Sequence, residues 1–167
     1  MGRKLVAALV LAVCAGPFTS RGAEDRIDLA AVITKADAQT ALGEAVKDPQ
    51  ARGDEGADGF YSRCNYYSEN PGKSLVLRVR QAAPGQLEPK KQLEEMSAAN
   101  EKLKPISGLG ENAAAVSEGA EKGPSHGLML YVVKGNFFVT IGISGIDDEK
   151  GATEKAKNLA RKILKHL

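Results

Sequence analysis

Residues 128–134 read Leu-Met-Leu-Tyr-Val-Val-Lys and residues 137–144 read Phe-Phe-Val-Thr-Ile-Gly-Ile-Ser, with only Gly135-Asn136 between them. A two-residue loop of this kind joins β-rich runs into a tight antiparallel hairpin. It sets Val132 opposite Val139, Leu130 opposite Ile141 and Leu128 opposite Ile143, one strongly apolar face. The other face pairs Val133 with Phe138, Tyr131 with Thr140 and Met129 with Gly142, and it too is largely apolar. Strands apolar on both faces belong inside a sheet that is covered on both sides, not at its edge.

A second hairpin is expected upstream. Residues 60–67 and 74–81 are β-rich and flank Glu69-Asn70-Pro71-Gly72, a strong turn signal. A four-residue loop sets Tyr66 against Leu75, Cys64 against Leu77 and Ser62 against Val79. The opposite face then carries Tyr61, Arg63 and Asn65 against Arg80, Arg78 and Val76. A slip by one residue would bury the arginines, so this register is favoured and Cys64 is placed in the core.

Three helices complete the pattern. Thr34-Lys35-Ala36-Asp37 has capping-box spacing, Ala38, Ala41 and Leu42 form a short apolar stripe, and Gly43 supplies the stop. Residues 88–103 place Leu93, Met96 and Leu103 on one side before Pro105. Residues 149–166, capped by Asp147 or Asp148, carry Ala152, Ala156, Leu159, Ala160 and Ile163 at helical spacing. Residues 48–59, with almost no apolar content, and the polar residues 118–127 read as surface loops, while 113–116 is compatible with a short strand. The expected fold class is α+β: an antiparallel sheet built from two hairpins with helices packed on its faces, an α/β/α-like sandwich.

The N-terminus reads as an export leader. Met1-Gly2-Arg3-Lys4 precedes an apolar run from Leu5 to Ala15, too short to span a bilayer, and Gly16, Pro17 and Ser20 then break the helix. The expected division is a signal peptide over residues 1–23 and a single α+β domain over 24–167. Leu11-Ala12-Val13-Cys14 also has the outline of a lipobox, although Val13 stands where Gly, Ala or Ser is usual. Cys14 is therefore a candidate lipidation site. The expected location is exported: periplasmic or secreted, with lipid anchoring to the envelope as the alternative.

Removal of the leader changes the charge. It takes three of the 23 basic residues and none of the 21 acidic ones, leaving 20 against 21 and turning a net charge of +2 into −1. No electrostatic case for nucleic acid survives. Contact with a membrane is expected only through the leader or a lipid on Cys14.

Catalytic and metal chemistry are not indicated. His126 lies in Gly-Pro-Ser-His-Gly and His166 is penultimate, and neither has ligand partners at metal spacing. Ser125 beside His126 is sequence adjacency, not triad geometry. Cys64 alone remains after the leader, without an activating base. Gly108-Leu109-Gly110 is a turn, not a nucleotide loop. No cofactor is expected. Two surfaces remain: Tyr61, Arg63, Asn65, Tyr67, Arg78 and Arg80 on the first hairpin, and Lys155, Lys157, Arg161, Lys162 and Lys165 on the last helix. Tyrosine and arginine anchor interfaces, and arginine forks suit anions. The basic helix could touch anionic headgroups or be a solvated surface helix.

Leu42-Gly43, Cys64-Asn65-Tyr66, Gly108-Leu109-Gly110-Glu111-Asn112-Ala113, Tyr131-Val132-Val133-Lys134-Gly135 and Leu159-Ala160-Arg161-Lys162-Ile163-Leu164 occur together. In this the chain resembles small exported bacterial proteins and lipoproteins of unknown function, some of which resemble the PsbP/Mog1-like α/β/α sandwich. The resemblance implies that fold and no catalytic residues. The expected function is a non-enzymatic envelope or secreted protein that binds a protein or a small anionic ligand through its sheet. The alternative is a small periplasmic hydrolase or inhibitor-like protein acting through the 48–59 or 118–127 segment.

Overall fold

The structure, a computed structural model, describes residues 26–119, 126–145 and 147–167. The leader and Cys14 lie outside the described residues. The chain is α+β, as expected, and its sheet has seven strands, all paired antiparallel. In chain order the elements are α1 (Leu29–Val32), α2 (Lys35–Leu42), β1 (Gln50–Gly56), β2 (Gly59–Tyr67), β3 (Ser74–Ala82), α3 (Pro89–Ala99), β4 (Lys104–Pro105), β5 (Asn112–Gly119), β6 (His126–Lys134), β7 (Phe137–Ser144) and α4 (Glu149–Leu164). The strand order is β1-β2-β3-β7-β6-β5-β4.

β2 pairs with β3 so that Tyr66 faces Leu75, Cys64 faces Leu77 and Ser62 faces Val79. β6 pairs with β7 through Val132 and Val139, Leu130 and Ile141, Leu128 and Ile143. These two hairpins meet where β3 pairs with β7, which sets the two-sided apolar strands at the centre of the sheet. They supply only four of the seven strands, so the sheet is larger than two hairpins.

Alternation along the strands divides the core into two layers. On the inner face Cys64, Tyr66, Leu75, Leu77, Val79, Leu130, Val132, Val139, Ile141 and Ile143 pack against α1, α2 and α4. On the outer face Ala114, Val116, Val133 and Phe138 pack against Leu93 of α3 and Leu103. The largest fully buried side chain, Tyr66, donates its hydroxyl to the carbonyl of Ile33, tying the end of α1 to the sheet.

The helix ends follow the local code. Asp37 N–H donates to Thr34 Oγ1 at 3.3 Å and Thr34 N–H donates to Asp37 Oδ2 at 2.7 Å, a complete capping box. Gly43 closes α2 in the left-handed conformation. Asp148 caps α4, accepting from Gly151 N–H at 3.0 Å. Lys134 Nζ donates to the Leu164 carbonyl at 2.8 Å, satisfying an orphan acceptor at the other end of α4. Lys162 Nζ reaches Asp37 Oδ2 at 2.6 Å and joins α4 to α2. Burial pushes the Asp37 carboxyl up, but hydrogen bonds from Lys162 and Thr34 outweigh it and hold it below the ordinary carboxylate value.

Three segments differ from expectation. In the expected 118–127 loop, residues 118–119 end β5 and residues 126–127 open β6, while residues 120–125 lie outside the described residues. α3 ends at Ala99, where Asn100 turns to extended backbone, and Leu103 enters the core from the following turn. Residues 48–59 are not a loop: β1 occupies most of them and forms one edge of the sheet. β1 has almost no apolar side chain of its own, and its glycines are covered from β2 instead. A Cβ on Gly53 would lie 2.9 Å from Phe60 Cζ, and one on Gly56 would lie 2.7 Å from Tyr61 Cε2. Aromatic rings laid over strand glycines supply the contact that the missing side chains cannot.

Candidate functional site

α3 packs on β5, β6 and β7, and leaves the outer face of the other half of the sheet open. This open half carries Tyr61, Arg63, Asn65 and Tyr67 of β2 with Val76 and Arg78 of β3, and β1 extends it with Gln50, Arg52 and Asp54. Tyr67 and Val76 are among the exposed large hydrophobic side chains of the described residues.

Register brings three arginines into one line. Arg52 faces Arg63 across β1 and β2, and Arg63 faces Arg78 across β2 and β3. Like charges directly opposite on adjacent strands repel, and neighbouring strands lie only about 4.8 Å apart. Two groups offset the repulsion. Asp54 accepts from Arg52 Nε at 2.6 and 2.8 Å and lies 3.9 Å from Arg63 Nε. The Tyr61 ring takes the guanidinium carbon of Arg78 at 4.4 Å and that of Arg63 at 5.3 Å from its centroid, where the ring's negative face attracts cations.

Tyr61 is itself fixed. Its hydroxyl donates to the Asp58 carboxylate at 2.7 and 2.8 Å. That hydrogen bond, with Arg80 and Arg78 nearby, holds the Asp58 carboxyl below its ordinary value despite partial burial. Arg63 Nε is buried and makes no hydrogen bond among the described residues. Asp54 thus serves two of the three guanidinium groups, Arg52 and Arg63, while Arg78 lies over Tyr61 near Asp58, leaving planar, fork-shaped donors suited to further carboxylates or similar anions.

Not every residue expected on this face is there to bind. Arg80 is 3% exposed. Its Nη1 donates to the Asp58 backbone carbonyl at 3.2 Å and carboxylate at 3.3 Å, and its Nη2 donates to the Leu87 carbonyl and Gln92 Oε1, each at 2.8 Å. The segment after β3 and the first turns of α3 close over it, so Arg80 is a structural tie and leaves the candidate binding set. Asn65 is half-buried, with Nδ2 at 3.5 Å from the Tyr67 hydroxyl. Tyr61, Arg63, Tyr67 and Arg78 stay on the open face.

Arg52, Asp54 and Asp58 were missed because their segment reads as a loop. A usable signal existed in the two-residue spacing of Arg52 and Asp54, which puts both on one strand face.

The other chemistry-bearing groups are accounted for separately. Cys64 is fully buried, and burial pushes its thiol up, away from a reactive thiolate. On α4, Lys157 pairs with Glu154 at 2.8 Å, Lys162 with Asp37, and Arg161 donates to Asn158 at 2.9 Å. Among the described residues there is no group of three or more His, Cys, Asp or Glu able to hold a metal ion. No helix among them is long and apolar enough to cross a membrane. A groove lies at the sheet end marked by Gly59 and Asn136, and its arginine, Arg26, is already engaged with Glu55 and stacked on Phe60.

No protein-family model matches this chain, and no curated protein matches it. Among solved structures it is similar to the extracellular domain of PknH from Mycobacterium tuberculosis, with a TM-score of 0.51 and 10% identity. The match covers 81% of this chain and 94% of that domain. At that identity the likeness describes the fold.

Proposed function

We propose that the chain is an exported cell-envelope or secreted interaction protein whose open sheet face takes an acidic segment of a protein partner. The observation that carries this reading is the Arg52–Arg63–Arg78 line, flanked by Tyr61 and Tyr67 and countered by Asp54 at Arg52 and Arg63 and by Asp58 near Arg78. Exposed Tyr67 and Val76 beside the arginines provide the aromatic and apolar contact typical of protein interfaces.

Fluorescently labelled poly-L-glutamate is a suitable probe, with poly-L-lysine as control. The wild type should bind the first and not the second, more weakly as salt is raised. Arg63→Ser with Arg78→Ser should weaken binding at least about tenfold while circular dichroism and urea unfolding stay near wild type. Undiminished binding by the double variant would place the acidic segment elsewhere.

The leader over residues 1–23, the resemblance to small exported bacterial proteins, and a fold neighbour that is itself an extracellular domain support the export half of the proposal. Intact mass of the protein purified from its own host tests it. A start between Gly16 and Glu24 means release, a diacylglyceryl group on Cys14 means a lipid tether, and an intact Met1 end overturns processing.

A further inference from the structure

The two edges of the sheet are built differently. One is β4, only two residues long and made of Lys104 and Pro105. Short length, lysine and proline are the devices by which proteins keep a free edge from pairing with another chain. The other edge, β1, is seven residues long and contains neither lysine nor proline. Its register with β2 runs unbroken from Gln50 to Gly56, without a bulge. All its residues but Asp54 are exposed, so no helix overhangs it on either face.

We infer that β1 pairs antiparallel with β1 of a second copy, about a twofold axis at Gly53. The argument is self-complementarity. For the two sheets to continue with matching faces, the axis must pass through a residue of the strand, so that residues of like orientation oppose one another. An axis at Arg52 sets arginine against arginine, and an axis at Asp54 sets aspartate against aspartate. An axis at Gly53 sets Arg52 opposite Asp54 of the second copy, twice, with Ala51 opposite Glu55 and Gln50 opposite Gly56. Directly opposed opposite charges stabilise an antiparallel pair, and like charges destabilise it.

The same pairing satisfies the outward N–H and C=O groups of both edges, as in strand addition generally. Because the axis stands perpendicular to the sheet, the product is one sheet of 14 strands, twice the seven of a single copy. Both arginine lines then lie on the same face of one continuous surface. This inference does not rest on the proposed ligand, and either can fail alone.

Sedimentation mass at about 100 μM, where even a contact of micromolar affinity assembles, tests it. Wild type should sediment as a dimer. Arg52→Glu and Asp54→Arg should each sediment as a single copy, because each turns both charge pairs repulsive. An equimolar mixture of the two variants should regain the dimer, since each then meets its complement. Arg52→Ala, which deletes the charge without reversing it, should dissociate at lower dilution than wild type and keeps the test decisive if a reversed variant folds poorly. A single-copy wild type, or dimers of Arg52→Glu as stable as wild type, would overturn the inference.

Discussion

Replacing Arg80 with alanine is expected to cost about 3 kcal/mol of unfolding free energy, within the range for removing one member of a buried, hydrogen-bonded charge network. The side chain is buried and donates to three different residues: Asp58, Leu87 and Gln92. Truncation strands the Leu87 carbonyl and the Gln92 amide oxygen and leaves a void between β3 and α3. The charge partner matters less than the neutral acceptors. Asp58 has a side chain 41% exposed, so water screens its pairing. Asp58→Ala should therefore cost about 1 kcal/mol or less, mostly through loss of the Tyr61 hydrogen bond. Urea unfolding of the two variants separates the cases. Equal losses would mean that the ion pair, not the tie to the Leu87 segment, holds this corner.

An effect of similar size is expected for Gly59→Ala, also about 3 kcal/mol or more, by steric strain at a φ that side chains avoid. Gly59 has φ of 139°, and an added Cβ would lie 2.0 Å from the Gln81 carbonyl oxygen and 2.9 Å from Ala83 N. Both obstacles are backbone, so no rotamer change relieves them. The strand ends must separate where Gly59 pairs with Ala82 and with Gly56. Gly43→Ala is the control: its φ is also positive, at 74°, but nothing lies within 4 Å of the added atom. It should lose only the glycine preference of a helix stop, about 1 kcal/mol. Thermal unfolding that ranks the two variants equally would show that conformational preference, not collision with β3, sets the cost at Gly59. Gly59 and Arg80 both brace the β2–β3 end near Asp58, so combining their variants should not give additive losses.

Much of the fold was legible in the chain because the relevant signals are local. Two-residue alternation separated the inner from the outer face, and the turns at Gly135-Asn136 and 69–72 set the register of β6–β7 and β2–β3. The same partners face one another in the structure. The capping box at Thr34 and Asp37 and the stop at Gly43 are likewise short-range, since the interacting groups lie within one helical turn.

β1 was illegible for a physical reason. Alternation needs apolar residues to reveal it, and Gln-Ala-Arg-Gly-Asp-Glu-Gly offers almost none. Its strand state comes from β2, whose Phe60 and Tyr61 cover Gly53 and Gly56. The candidate site was partly legible in the same sense. Alternation placed Tyr61, Arg63 and Arg78 on the polar face, but Arg52 joined them only once β1 was in place.

The chain by itself therefore determined the α+β class, the central hairpins and the sidedness of the sheet, because these follow from periodicity and turn chemistry within about ten residues. It also carries the apolar run from Leu5 to Ala15 on which the proposed export leader rests, and which no tertiary contact is needed to read. Only the tertiary structure decided which half of the polar face stays open. The segment after β3 folds back with α3 over Arg80 and stops short of Arg78, so two arginines alike in sequence become a buried tie and an exposed group on the candidate face. That division depends on where a distant helix finds apolar cover on Val133 and Phe138, and pattern along one strand contains no record of it.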